Sequence, residues 1–238
     1  MNSRHLFLLI GQSNMVGHGE MDRVLPIENE LIQVFRNDRW QKAVEPLHGD
    51  RNDQTGVGLG MSYASSILKR DLVDRVGLIP CAVDSTAIAD WLPGTPLYQK
   101  TLDTLMKTQK TDPENNRLGA ILWHQGENDA KDKHMAEQYG DRLVMLVWAL
   151  RRDLNAPNLP FISGELGDFI NAAVGGPYGR QISAVLKELE TTLPDYACVS
   201  ADGLVAKDDG LHFNAHSLRE FGKRYALAYK SLISYQTP

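Results

Sequence analysis

Short apolar runs bounded by turn residues recur along the chain at residues 5–10, 75–83, 118–123, 160–164 and 197–201. Runs this short and this continuously apolar predict strands covered on both faces of a sheet. Between them, residues 61–69, 97–109, 135–154, 180–193 and 215–234 place apolar side chains three or four positions apart. That is the period of a helix with one buried face. Residues 31–35 add a short extended piece, an edge strand or one arm of a hairpin, and the Pro- and Gly-rich patches at 92–96 and 175–179 read as loops. The alternation predicts an α/β fold, a three-layer α/β/α sandwich around a mostly parallel five-stranded sheet, as one domain over residues 1–238.

In such sheets ligands bind outside the carboxyl ends of the strands, so the turns that follow strands are the places to look for chemistry. The turn after the first run reads Gly11-Gln12-Ser13-Asn14-Met15. A serine hydroxyl is a weak nucleophile until a neutral imidazole accepts its proton and a carboxylate holds that imidazole in the right tautomer. Such a pair occurs near the other end of the chain, in Asp209-Gly210-Leu211-His212, between the last predicted strand and the last predicted helix. Taken singly, Ser13 suits a turn or helix cap, and Asp209 and His212 suit an exposed loop. Taken together they predict a nucleophile, an orienting carboxylate and a base at one sheet edge.

A third polar segment, Trp123-His124-Gln125-Gly126-Glu127-Asn128-Asp129, follows the run at 118–123. Acyl transfer needs donors aimed where the carbonyl oxygen turns negative, and the Gln125 amide and the Ser13 N–H are candidates. Gln12 and Asn14, on either side of the serine, are candidate substrate-binding residues. Glu127 is either a second carboxylate near the histidine or an acid that orients substrate. His124, Glu127 and Asp129 are also metal-ligand types, but their spacing does not place all three on one helical face, and no metal is expected. Gly17-His18-Gly19 lacks the strand-turn-helix context of a nucleotide loop, and no GxxxxGK[ST] occurs. Trp40, Tyr63 and Trp91 could line a sugar cleft or lie in the core.

These three blocks, in this order, resemble the carbohydrate-esterase group of SGNH hydrolases that contains acetyl xylan esterases and sialate O-acetylesterases. The resemblance spans most of the chain and implies a flavodoxin-like SGNH-hydrolase fold with Ser13, Asp209 and His212 as the triad. It implies hydrolysis of O-acetyl esters on carbohydrates through an acetyl-serine intermediate, with no cofactor. One departure stands out: the group commonly carries Gly-Gly-Thr after the second long strand, where this chain has Asp84-Ser85-Thr86. A backbone donor from this turn would then be the Ser85 or Asp84 N–H, strained if φ is positive, with the Asp84 carboxylate nearby. Rival readings are an esterase or thioesterase acting on non-sugar esters, and a catalytically silent carbohydrate-binding domain.

Composition narrows the partners. A net charge of −5 without long runs of like charge argues against a nucleic-acid or anionic-membrane surface, and the resemblance implies an acetylated carbohydrate as the partner. The first apolar run is too short for a signal-peptide core, and no stretch approaches the roughly 20 apolar residues of a membrane span. A cytoplasmic product is the expectation. Cys81 and Cys198, far apart, indicate neither a disulfide framework nor a thiolate metal site.

Overall fold

The computed structural model describes residues 3–48 and 55–234. Its strands are β1 (Arg4–Gly11), β2 (Ile32–Arg36), β3 (Arg39–Lys42), β4 (Arg75–Pro80), β5 (Asn116–His124), β6 (Phe161–Gly164) and β7 (Tyr196–Val199). They form one seven-stranded sheet in the order β3-β2-β4-β1-β5-β6-β7, parallel except for the β2–β3 hairpin. The sheet thus has two strands more than the sequence pattern predicts. Residues 31–35 are one arm of a hairpin and also pair with β4. The other arm, Arg-Trp-Gln-Lys, is half or fully exposed, so it carries no apolar run to betray it. A signal was nevertheless present: Asn37 and Asp38 both take positive φ, 54° and 56°, as a two-residue hairpin turn that matches strand twist requires.

The helices are α1 (Ser13–Val16), α2 (Leu59–Leu68), α3 (Pro96–Lys110), α4 (Lys133–Asp153), α5 (Ile170–Val174), α6 (Tyr178–Glu188) and α7 (Ala215–Ser234). The expected helix over 180–193 ends early and passes through a 3₁₀ turn at Leu189–Thr191. Side-chain alternation along β1 explains the two layers. Leu6, Leu8 and Ile10 face a core completed by α3, α4 and α6, whereas Phe7 and Leu9 face one completed by α2 and α7. Trp91 and Tyr63 lie buried in these cores, and Trp40 packs at the edge of one. Among the described residues no helix is long and apolar enough to cross a membrane.

What matters for chemistry is the position of β1. It lies between β4 and β5, and the chain crosses from β4 by way of α3 to reach β5 on its other side. The carboxyl end of β1 is therefore a topological switch point, where a crevice opens. Gly11 and His124 are partners at that end of the sheet. Gly11 has φ 128°, and a Cβ there would stand 2.0 Å from the His124 carbonyl oxygen, so only glycine lets the two strand ends approach this closely. Gln12 N–H then donates to His124 O at 2.9 Å, and Val83 N–H to Gly11 O at 2.9 Å. The serine turn, the β5 block and the segment following β4 are stitched into one edge.

Candidate active site

Ser13 is the first residue of α1, buried apart from a small exposed area. Gln12, its N-cap, places no side-chain acceptor on the first N–H groups of the helix. Met15 N–H donates to the Gln12 carbonyl oxygen at 2.8 Å, and the Ser13 N–H has no acceptor among the described residues.

The loop after Ala201 carries the second half. Asp209 Oδ2 accepts from His212 Nδ1 at 2.8 Å, while Asp209 Oδ1 accepts from the backbone N–H of both Leu211 and His212 at 2.9 Å. A carboxylate only accepts, so the ring proton sits on Nδ1 and the Nε2 lone pair is free to take a proton. Burial pushes the Asp209 carboxyl up, but the His212 N–H and ring and the Leu211 N–H outweigh it and hold the carboxyl well below the usual range. Asp209 is ionised throughout the range in which an imidazole titrates.

Asn14 joins the two halves. Its Oδ1 accepts from Phe213 N–H at 3.0 Å, and its Nδ2 donates to Glu127 Oε1 at 2.5 Å and, at the long limit of 3.5 Å, to Leu211 O. The residues on both sides of His212 are thereby tied to the residue after Ser13. Among the described residues no hydrogen bond runs from Ser13 Oγ to the His212 ring.

Three expectations change at this point. Glu127, expected near the histidine or the substrate, is 2% exposed and faces Asn14, with His124 Nε2 at 3.4 Å. It reaches neither His212 nor solvent. Burial pushes its carboxyl up, yet the His124 ring and the Asn14 amide hold it below its ordinary value. Gln125, expected to donate to the oxyanion, is fully buried, and its Nε2 serves Gln12 Oε1 (3.0 Å), Thr86 O (2.8 Å) and Asp129 Oδ2 (2.6 Å). Two N–H bonds already face three acceptors, so none is left for substrate. Burial drives the Asp129 carboxyl up to about 6, against the Gln125 amide and the Ile88 N–H that it accepts. The effect of this network is to orient Gln12. With its Oε1 occupied by Gln125 and by Asn128 N–H, Gln12 leaves its own amide nitrogen without a described acceptor, next to Ser13. Asn14, expected to bind substrate, is 1% exposed and bridges loops instead.

At the Asp84-Ser85-Thr86 turn, Ser85 is exposed and takes φ 59°, the left-handed conformation that glycine would adopt without strain. Asp84 turns its carboxylate to His18 Nε2 at 3.0 Å. The His18 ring in turn stacks on His212, with centroids 4.4 Å apart and an interplanar angle of 11°. Sequence reading set Gly17-His18-Gly19 against nucleotide binding alone and so missed this neighbour. Its one available sign was a second histidine five residues past the serine.

A groove of about 830 Å³ is lined by Val16 and Val83 and, on α3, by Gln99, Lys100, Asp103 and Lys107, and none of Ser13, Asp209 and His212 lines it. Val16 ends the serine helix and Val83 immediately precedes Asp84.

Comparisons with known proteins agree with this architecture. A family model described as "Carbohydrate esterase, sialic acid-specific acetylesterase" matches residues 3–231. A "Probable carbohydrate esterase" of Arabidopsis thaliana is 35% identical over 245 residues, covering 95% of this chain and 90% of the relative. An X-ray structure of an Arabidopsis thaliana protein superposes with a TM-score of 0.86 at 34% identity, covering 96% of this chain and 98% of that one. NanS superposes with a TM-score of 0.77 at 16% identity over 99% and 98% of the two chains. A carbohydrate acetylesterase from Xanthomonas citri gives 0.71 at 17% identity, over 98% of this chain and 57% of that one. These last two are likenesses of fold.

Proposed function

We propose, from the premise that the chain belongs to the carbohydrate-esterase family of sialic acid-specific acetylesterases, that it is a serine esterase removing acetyl groups from O-acetylated carbohydrates through acetyl-Ser13. The observation that carries this reading is the Asp209–His212 pair at 2.8 Å, tethered through Asn14 to the turn that bears Ser13.

In acylation, His212 Nε2 takes the Ser13 hydroxyl proton as Oγ bonds to the acetyl carbonyl carbon. The oxygen turns negative and accepts from the Ser13 N–H and the Gln12 amide, with the Ser85 N–H as a further donor. Collapse of the tetrahedral species breaks the bond to the sugar oxygen, and that oxygen leaves with the proton held by His212. In deacylation His212 takes a proton from water, the hydroxide adds to the acetyl carbon, and acetate departs as Ser13 regains its proton. Asp209 holds the Nδ1 proton throughout and stabilises the imidazolium formed in each half. Gln125, Asn14 and Glu127 are positioning residues in this scheme.

Ser85 takes the conformation a glycine would take, which supports an active turn over a silent binding domain despite the absent glycines. The test is incubation with a fluorophosphonate probe, peptide mapping and a substrate panel. Expected are label on Ser13, turnover of acetylated sugars and of p-nitrophenyl acetate, and a steep fall for acyl chains of about eight carbons. Label on another residue would overturn the nucleophile, and equal turnover of long acyl chains would overturn the acetyl preference.

The positioning role of Glu127 predicts an asymmetry. Glu127→Gln keeps an oxygen for the Asn14 amide and is expected to retain kcat within about 5-fold, whereas Glu127→Ala leaves that amide and His124 facing a buried void. A fall in kcat of ~10²-fold is expected for the alanine variant, with stopped-flow and steady-state rates as the measurement. A glutamine variant as inactive as the alanine variant would place the carboxylate in the chemistry itself.

A further inference from the structure

Two imidazoles at this site each have a carboxylate of their own. His212 donates from Nδ1 to Asp209, His18 donates from Nε2 to Asp84, and the rings lie nearly parallel with centroids 4.4 Å apart. Lys207 spans the pair, its Nζ donating to the His18 carbonyl oxygen at 3.3 Å and standing 3.4 Å from Asp209 Oδ2. A single hydrogen bond at Nδ1 fixes the tautomer of His212 but lets the ring rock about its Cβ–Cγ bond. A second ring packed face to face removes that freedom, provided it is itself held, and Asp84 holds it.

We infer that His18, anchored by Asp84, is a positioning residue that fixes the plane of the His212 ring so that Nε2 is aimed at the Ser13 hydroxyl. The stacked ring also covers one face of His212 from water, as the low exposures of the two side chains, 8% and 15%, require. The assignment accounts for Asp84 in a turn where the family commonly has glycine: its carboxylate is spent on His18 and is turned away from the developing oxyanion. His18 touches neither substrate nor the reacting atoms and acts through His212. The inference rests on reading His212 as the base of the esterase.

The experiment compares wild type, Ser13→Ala, His18→Ala, His18→Phe and Asp84→Ala on p-nitrophenyl acetate, with Tm for each. His18→Ala is expected to lower kcat by ~10- to 50-fold with KM changed less than about 3-fold, because orientation of the base is felt in the transition state. His18→Phe restores a flat ring and is expected to recover most of that loss, which a generic packing defect would not discriminate by kcat alone. Asp84→Ala, a change at a partly exposed turn that keeps both rings but frees His18 from its anchor, is expected to lower kcat by ~3- to 10-fold at unchanged Tm. Wild-type kcat in His18→Ala or Asp84→Ala, a loss confined to KM, or a phenylalanine variant no better than alanine would each overturn the role of His18. Wild-type turnover by Ser13→Ala would instead overturn the serine-esterase reading beneath it.

Discussion

Ser13→Ala is expected to reduce esterase turnover by at least ~10³-fold, with binding of substrate nearly unchanged. The substitution deletes the atom that forms the covalent intermediate; of its neighbours, Asn14 is enclosed and bonded to Phe213 and Glu127, and Thr86 has its hydroxyl engaged with Val83 O and the Trp91 indole. The residual rate is expected to come from polarisation by the Ser13 backbone N–H and the Gln12 amide, which alanine leaves intact. Because Ser13 Oγ has no hydrogen-bond partner among the described residues, its loss costs the fold little, and Tm should stay within a few degrees of wild type. Full turnover by the variant would exclude Ser13 as nucleophile; a collapse of Tm would show that the serine is a structural cap.

Asp209→Asn carries the second large effect, and the hydrogen-bond pattern predicts its mechanism. In the native loop, Oδ1 accepts from two backbone N–H groups and Oδ2 accepts from the His212 ring. An asparagine has one oxygen. If that oxygen stays with the two backbone donors, the NH₂ faces Nδ1, which must then accept, and the ring proton moves to Nε2. A protonated Nε2 cannot take the serine proton. The expected result is a fall in kcat of ~10²–10⁴-fold with KM altered only a few-fold. The lower end of that range reflects the half-exposed carboxylate, where water can partly take its place. A loss expressed in KM alone would move Asp209 from catalysis to substrate binding. The wild-type pH profile should show no limb from Asp209 above about pH 4, since the carboxyl is held well below its ordinary value.

Much of this molecule was legible in one dimension. The apolar runs at 5–10 and 118–123 fall inside β1 and β5, and the helix over 215–234 has the bounds of α7. Continuous apolar character survives only where both faces of a strand are covered, which is why the central strands announce themselves and the exposed β3 does not. Short turns such as α1 and α5 carry too few residues to show a period. In the candidate site, Ser13, Asp209 and His212 could be singled out from chemistry, because few residue types can serve as nucleophile, orienting acid and base.

Roles that depend on which way an amide faces could not be read in this way. Gln125 and Gln12 have the same side chain, and only the meeting of Thr86 O, Asp129 and Gln12 around Gln125 Nε2 turns one into a buried strut and the other into the available donor. Glu127 is likewise moved from the chemistry to the scaffold by being enclosed against Asn14 and His124. The sequence by itself determined the α/β class, the edge of the sheet that bears the serine turn and the residue types able to act there, since these depend on local periodicity and intrinsic reactivity. Only the tertiary structure decided the seven-strand order, the partner of every buried polar atom and the stacking of His18 on His212. Those rest on contacts between segments up to about two hundred residues apart, whose pairing is set by packing rather than by any local pattern.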